Sequence, residues 1–248
     1  MVYNNNLLRK DSQLTKKRLK LLSKKWKISE EVYNLHLGKR DDLYDTIVNI
    51  DGVKFHIPTL TRDGLFVLWR CLWPDCVNCC NYANFIPLTK DDIETLSKKM
   101  GYYSKSNFIK KETIISSWVQ KEAYGKFDSI RTNISLKRRR NEKEDDEGKS
   151  MKCRFLNSCG CRIQSFKPGV CQMYPFVSYL ENDTNGNSVI HAEFQFTGDC
   201  PGFYVENTLE HIMPVLKVYS KIIYDYTMTY LRTMRENYSV TSILRSNL

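Results

Sequence analysis

The chain has 248 residues and a mass of 29.2 kDa, 42% of them hydrophobic and 12% aromatic, with 11 Gly and 7 Pro. That length serves one large domain or two small ones, and the composition excludes a collagen-like or low-complexity chain. The formal charge of +10 is concentrated at one end, because residues 1–40 hold eleven Lys/Arg against three Asp/Glu.

Residues 12–27 set Leu14, Leu19, Leu21 and Leu22 among lysines, which predicts a short basic amphipathic helix. Its charges suit nucleic acid, an acidic partner or a membrane surface. A solvated face is the plainer reading, since rings such as Trp26 and Tyr33 are few there and build no stacking platform. Thr46–Ile50 and Val53–Ile57 flank Asp51-Gly52, the dipeptide of a type I′ hairpin. Thr89–Met100 reads as a helix capped by Thr89, answered by Asp92 and closed by Gly101.

Residues 137–149, KRRRNEKEDDEGK, cannot enter a core and read as an exposed loop between strands near 130–136 and 151–156. Phe176–Glu181 and Ser188–Phe196, joined by Asn182–Asn187, read as a second hairpin. Residues 207–236 repeat apolar side chains at steps of three and four, from Leu209, Ile212, Met213 and Leu216 through Tyr219, Ile223, Tyr226, Tyr230 and Met234. This predicts a helix that begins or kinks at Pro214 and packs its stripe on the rest of the chain. No stretch of 18 apolar residues and no apolar signal core is present, so no membrane span and a cytoplasmic setting are expected.

The nine cysteines stand at 71, 76, 79, 80, 153, 159, 161, 171 and 200. An odd count without a secretion signal argues against a disulfide framework. Thiolates are soft donors that bind zinc and iron–sulfur clusters. The gap between Cys76 and Cys79 lets one tight turn aim two sulfurs at one metal. Cys79 and Cys80, being adjacent, point apart and serve either two sites or one site and one packing role. Cysteine as a small buried hydrophobe explains scattered residues, not four within ten. A nucleophilic thiolate would want a histidine, and His36, His56, His191 and His211 show no spacing that ties them to a cysteine. Neither cysteine group alone offers a complete, well-spaced set of ligands, so the groups are expected to meet in the fold.

The run Cys153-Arg154-Phe155-Leu156, Gly160-Cys161-Arg162-Ile163, and Lys167-Pro168-Gly169-Val170-Cys171-Gln172-Met173-Tyr174-Pro175-Phe176 resembles the signature of the zinc- or iron-chelating cysteine-cluster family, the YkgJ or CxxCxxCC type. Ile86-Pro87-Leu88-Thr89 after the first cysteine group and the late Cys200-Pro201-Gly202 are similar to that family's Pro-Leu-Thr helix start and Cys-Pro-Gly. The resemblance spans about residues 70–203. It departs in the four-residue first gap, in Gln164 and Lys167 where Tyr and Arg are usual, and in the extra Cys159. The family is described as iron–sulfur proteins and includes the flagellin lysine-N-methylase. The resemblance therefore implies a metal site held by Cys71, Cys76, Cys79, Cys80, Cys153, Cys161, Cys171 and Cys200.

The expected fold is α+β. A small cysteine-rich metal-binding core of short strands and loops, residues 46–205, is flanked by a basic helical arm (1–45) and a long C-terminal helix (206–248). The expected function is a cysteine-held iron–sulfur cluster, [4Fe–4S] in type, or zinc, with a redox role. The first alternative is a lysine-N-methylase-like enzyme, weakened because no GxGxxG or GxxxxGK[ST] loop is present. The second is a zinc-stabilised adaptor whose arm binds nucleic acid or an acidic partner, which rests on charge alone. A substrate or protein partner is not named by these residues.

Overall fold

Asp51 and Gly52 both sit at positive φ, 49° and 83°, as a type I′ turn requires. They join β1 (Leu43–Ile50) to β2 (Val53–Leu60) in unbroken antiparallel register, from Ile50 opposite Val53 to Leu43 opposite Leu60. The expected hairpin is thus present and longer at its open end. The computed structural model describes residues 13–82, 86–120, 129–140, 151–196 and 200–235. It divides the chain into two units, Met1–Cys79 with Met173–Thr227, and Cys80–Gln172 with Met228–Leu248.

The first unit is built on a six-stranded sheet. The remaining strands are β3 (Leu65–Trp69), β10 (Phe176–Asn182), β11 (Ser188–Phe194) and β12 (Phe203–Glu206), in the order β10-β11-β2-β3-β12 with β1 paired to β2. Strands β10 and β11 form the second expected hairpin, Phe176 opposite Phe194. β11 runs parallel to β2 over Val53–His56, while Thr59 and Leu60 pair with β3.

Alternation along β2 sends Val53, Phe55 and Ile57 to one face, shared through register with Ile190, Ala192 and Phe194. Onto that face pack Val32 and Leu35 of α2 (Glu30–His36), Ile212 just ahead of α7 (Met213–Arg235), and Leu216 and Ile223 within it. Each such side chain contributes about 1.5–3 kcal/mol on burial. This apolar core is larger than a small cysteine-rich core of short strands would supply, because β1, β2 and β3 lie ahead of the first cysteine. Helix α7 begins at Met213, so Pro214 occupies its first turn and no kink is needed. The arm's helix α1 (Gln13–Trp26) is also present, with Leu19 buried and Leu21 exposed.

In the second unit, α4 (Lys90–Lys99) carries the expected capping box. Asp92 N–H donates to Thr89 Oγ1 at 3.1 Å, and Thr89 N–H donates to Asp92 Oδ2 at 2.9 Å. Gly101 closes the helix at φ 71°. Helix α5 (Lys105–Glu112) follows and leads into a ladder of β4 (Thr113–Gln120) with β5 (Ser129–Leu136). The chain then forms β6 (Arg138–Arg140), which pairs with β7 (Met151–Cys153), and the short β8 (Leu156–Asn157) and β9 (Gly160–Cys161).

The charged loop is therefore bounded by β6 and β7, and β5 pairs elsewhere. Positions 141–150 of that loop lie outside the described residues, as do 1–12 and 236–248. Two short helices carry cysteines: α3 (Asn78–Tyr82) and α6 (Gly169–Met173). Among the described residues no helix is long and apolar enough to cross a membrane.

Candidate metal centre

None of the nine cysteines is joined in a disulfide. In the first unit, β3 delivers Cys71 two residues beyond Trp69. Strand β12 runs antiparallel beside β3, Phe203 opposite Trp69, and Arg70 N–H donates to the Gly202 carbonyl at 3.0 Å. This pairing brings Cys200-Pro201-Gly202 against the root of the first cysteine group. Gly202 is required there, since a Cβ at this position would lie 2.1 Å from the Arg70 carbonyl oxygen. Trp69 Nε1 donates to Cys200 Sγ at 3.3 Å.

A turn closed by Cys76 N–H on the Leu72 carbonyl, 2.9 Å, leads to Cys79 at the start of α3. From α7, Tyr219 stands edge-on to Trp69 with ring centroids 5.8 Å apart, and its hydroxyl donates to the Tyr174 carbonyl at 3.1 Å.

Electrostatics places the same residues together. Burial pushes the Cys200 thiol up to about 11, and Cys76 and Cys79 add to the rise. Burial also raises Cys76, opposed by the Asn78 backbone and by the Lys25 charge of α1, and reinforced by Cys79 and Cys71. Tyr219 is raised by burial and then by Cys71, Cys79 and Cys200. The C-terminal helix thus supplies a wall of this cysteine set besides packing on the sheet.

In the second unit Arg138 of β6 stands directly opposite Cys153 of β7. Side chains so paired share one face of the ladder. Cys153 is buried. The nitrogens Nε, Nη1 and Nη2 of Arg138 are also buried and reach no oxygen or nitrogen acceptor, and Cys153 is a side-chain partner. Burial lowers its pKa, and the charges of Cys153, Cys171 and Cys80 oppose that fall.

Cys161 lies opposite Leu156 in the β8–β9 turn, which is tied back by Arg162 N–H on the Phe155 carbonyl at 2.9 Å. Cys171 lies in α6, whose first residue, Gly169, donates its N–H to Asp92 Oδ1 at 2.9 Å. Cys159 differs: it is exposed, and its amide donates to Asn157 Oδ1 at 2.9 Å.

The eight predicted residues divide between the units: Cys71, Cys76, Cys79 and Cys200 belong to the first, and Cys80, Cys153, Cys161 and Cys171 to the second. Cys80 of the early group joins Cys153 and Cys171 of the late group around Arg138, and Cys200 joins the early group. Among the described residues no three His, Cys, Asp or Glu side chains are placed to hold a metal ion.

Sequence spacing did not reveal Arg138, Trp69 or Tyr219, which reach the cysteines only through strand pairing and helix packing. It also missed a histidine pair on the opposite face of the first unit's sheet. His56 Nε2 and His191 Nδ1 are 2.8 Å apart, with Asp45 Oδ2 3.3 Å from His56 Nδ1. Tyr179 stacks on His191 and donates to Glu193. His211 is bonded to Glu206, and His36 lies between the rings of Phe196 and Phe203. Comparison with known proteins identifies no matching family model, no matching curated protein and no matching solved structure.

Proposed function

We propose that this chain is a cysteine-ligated metal protein, its thiols holding an iron–sulfur cluster of the [4Fe–4S] type, or zinc, with electron transfer as its role where iron is bound. The observation that carries this reading is Arg138. A guanidinium cannot discard its proton, and the buried nitrogens of this one want an anion beside them. Its neighbours are thiols, which at neutral pH carry charge only when something deprotonates them. A bound metal does so outright, and thiolates around it would supply the missing anion. The donors are chemically suited to a soft metal.

Raised thiol pKa values at Cys76 and Cys200 disfavour the nucleophile reading, because a protonated buried thiol is inert. The histidines, bonded to one another, to carboxylates or enclosed by phenylalanines, give such a nucleophile no base. The resemblance to the cysteine-cluster family points the same way.

Anaerobic purification followed by metal and acid-labile sulfide analysis and a visible spectrum tests the reading. Iron and sulfide in equal amounts with a broad brown absorption identify a cluster, and zinc without sulfide identifies the other member of the pair. A protein free of both metals, with every thiol reactive, would overturn it.

A further inference from the structure

Strand β11 meets β2 along one short seam in the first unit's sheet. The two run parallel from Ile190 opposite Val53 to Glu193 opposite His56, and within the sheet β10 is joined to the other strands through β11 alone. The inner face of the seam is apolar, with Val53, Phe55, Ile190, Ala192 and Phe194 buried there. The outer face is closed by two imidazoles, His56 Nε2 lying 2.8 Å from His191 Nδ1.

A hydrogen bond between two ring nitrogens needs one N–H and one lone pair. Asp45 decides which ring supplies which. Its Oδ2 lies 3.3 Å from His56 Nδ1, and its Oδ1 is buried with no hydrogen-bond partner. A carboxylate only accepts, so neutral His56 carries its proton on Nδ1 and offers Nε2 as the acceptor. His191 then donates from Nδ1 and keeps its lone pair on Nε2. A first added proton binds that lone pair and leaves the bond between the rings intact. Its charge is shared along the chain toward Asp45, whose unmatched oxygen favours it. A second added proton sets N–H against N–H at 2.8 Å and two cations on rings with centroids 5.1 Å apart. The His56 side chain is only 7% exposed, so water does not take over the broken bond.

The charged and titratable groups facing the pair across the strands are Asp45 of β1, Lys54 of β2, Glu193 of β11, and Tyr179 and Glu181 of β10. Tyr179 stacks on His191, ring centroids 5.3 Å apart, and donates to Glu193 Oε1 at 2.5 Å. Burial lowers the His191 pKa, and the charges of His56 and Lys54 lower it further, against Glu181 and Glu193.

We propose that Asp45, His56 and His191 form a one-proton latch on the seam between β2 and β11, closed while the pair is neutral or singly protonated and opened on its outer face by the second proton. The two protons bind in separate macroscopic steps that belong to the pair. In the unfolded chain His191 titrates at its ordinary 6.5, whereas the folded pair takes its second proton only at lower pH. The unfolded state therefore binds protons first, and the stability of the seam is whole above pH 6.5 and falls as pH drops below it.

The experiment follows the full chain, isotope-labelled at its ring nitrogens, by NMR from about pH 8 to about pH 4, with amide hydrogen exchange measured alongside. At the upper end both rings should show the Nδ1–H tautomer. The pair should then titrate in two steps more than about one pH unit apart. Protection of the amides along Ile190–Glu193 should hold through the first step and fall by about tenfold across the second, while the β1–β2 ladder keeps its own. His191→Gln should leave His56 a single step and abolish the acid loss of protection. Asp45→Asn should move the first midpoint down. One step taking both protons at a common midpoint, or protection at Ile190–Glu193 that stays level through both steps, overturns the latch. The wild-type titration needs no variant to fold.

Discussion

Asp92 Oδ1 accepts the backbone N–H of Gly169 at 2.9 Å while its Oδ2 accepts the backbone N–H of Thr89, also at 2.9 Å. One half-buried carboxylate therefore caps α4 and anchors the helix that carries Cys171. Burial raises its pKa, and these donated hydrogen bonds oppose that rise. Asp92→Asn presents a second donor to one of the two amides and strands it. We expect a loss of about 1–3 kcal/mol in denaturant unfolding, together with faster alkylation of Cys171 in the native protein. Unchanged stability and unchanged labelling of Cys171 would show that the contact positions nothing.

Gly202 answers a different constraint, the close approach of two strands. An added Cβ would meet the Arg70 carbonyl oxygen at 2.1 Å and Trp69 Nε1 at 3.0 Å. The first partner is backbone and cannot step aside. Gly202→Ala should push β12 away from β3, break the Trp69–Cys200 contact, and cost about 1–3 kcal/mol or more as an overpacked site. Thermal melting and the alkylation rate of Cys200 read both effects. A variant with the wild-type melting temperature would contradict the close packing.

His36 is buried against Phe196 and Phe203, its two ring nitrogens without partners, and burial lowers its pKa to about 4. The folded pKa lies below the unfolded value of 6.5, so the unfolded chain binds the proton first. Above pH 6.5 both states hold the ring neutral, so its titration adds no cost there. Stability is then lost as pH falls toward 4, by about 1.4 kcal/mol per unit and about 3 kcal/mol in all. His36→Leu should flatten this part of the pH dependence relative to wild type. Parallel curves for the two proteins between pH 6.5 and 4 would remove His36 from the account.

What could be read from the sequence, and what could not, follows from the range of the forces involved. The Asp51-Gly52 turn, the Thr89–Asp92 capping box, the Phe176–Phe194 hairpin and the Pro214 helix start are local, and each was legible in a few consecutive residues. The apolar core was underestimated because β2 is buried along nearly its whole length, so its polar members His56 and Thr59 hide the alternation that marks a sheet strand. That β5 pairs with β4, and that a separate β6 faces β7 across the charged loop, was not legible, since a strand's partner is set by register and not by its own composition. The cysteine residues were evident from density, but their division was not. Arg138 meets Cys153 across β6 and β7, and Cys200 reaches Trp69, at the root of the first cysteine group, only because β12 lies beside β3.

Metal–thiolate bonds exist only in the folded chain, so their free energy adds to its stability, on a scale of about 10–16 kcal/mol in zinc-finger peptides. Here part of the fold has its own apolar core, in the sheet of the first unit. Stripping the metal with all thiols kept reduced should therefore lower the melting temperature sharply, while the strand content of β1, β2, β10 and β11 survives longest in hydrogen exchange. Equal melting temperatures for holo and stripped protein would mean that the cysteines do not hold the fold.

The central claim is that cysteine sulfur, and nothing else in the chain, binds the metal. X-ray absorption at the metal edge of the anaerobically purified protein tests this directly. The account predicts a first shell of sulfur alone, at about 2.3 Å whether the neighbours are thiolates on zinc or thiolates and sulfides on iron. A shell containing nitrogen or oxygen scatterers from histidine or carboxylate would contradict it.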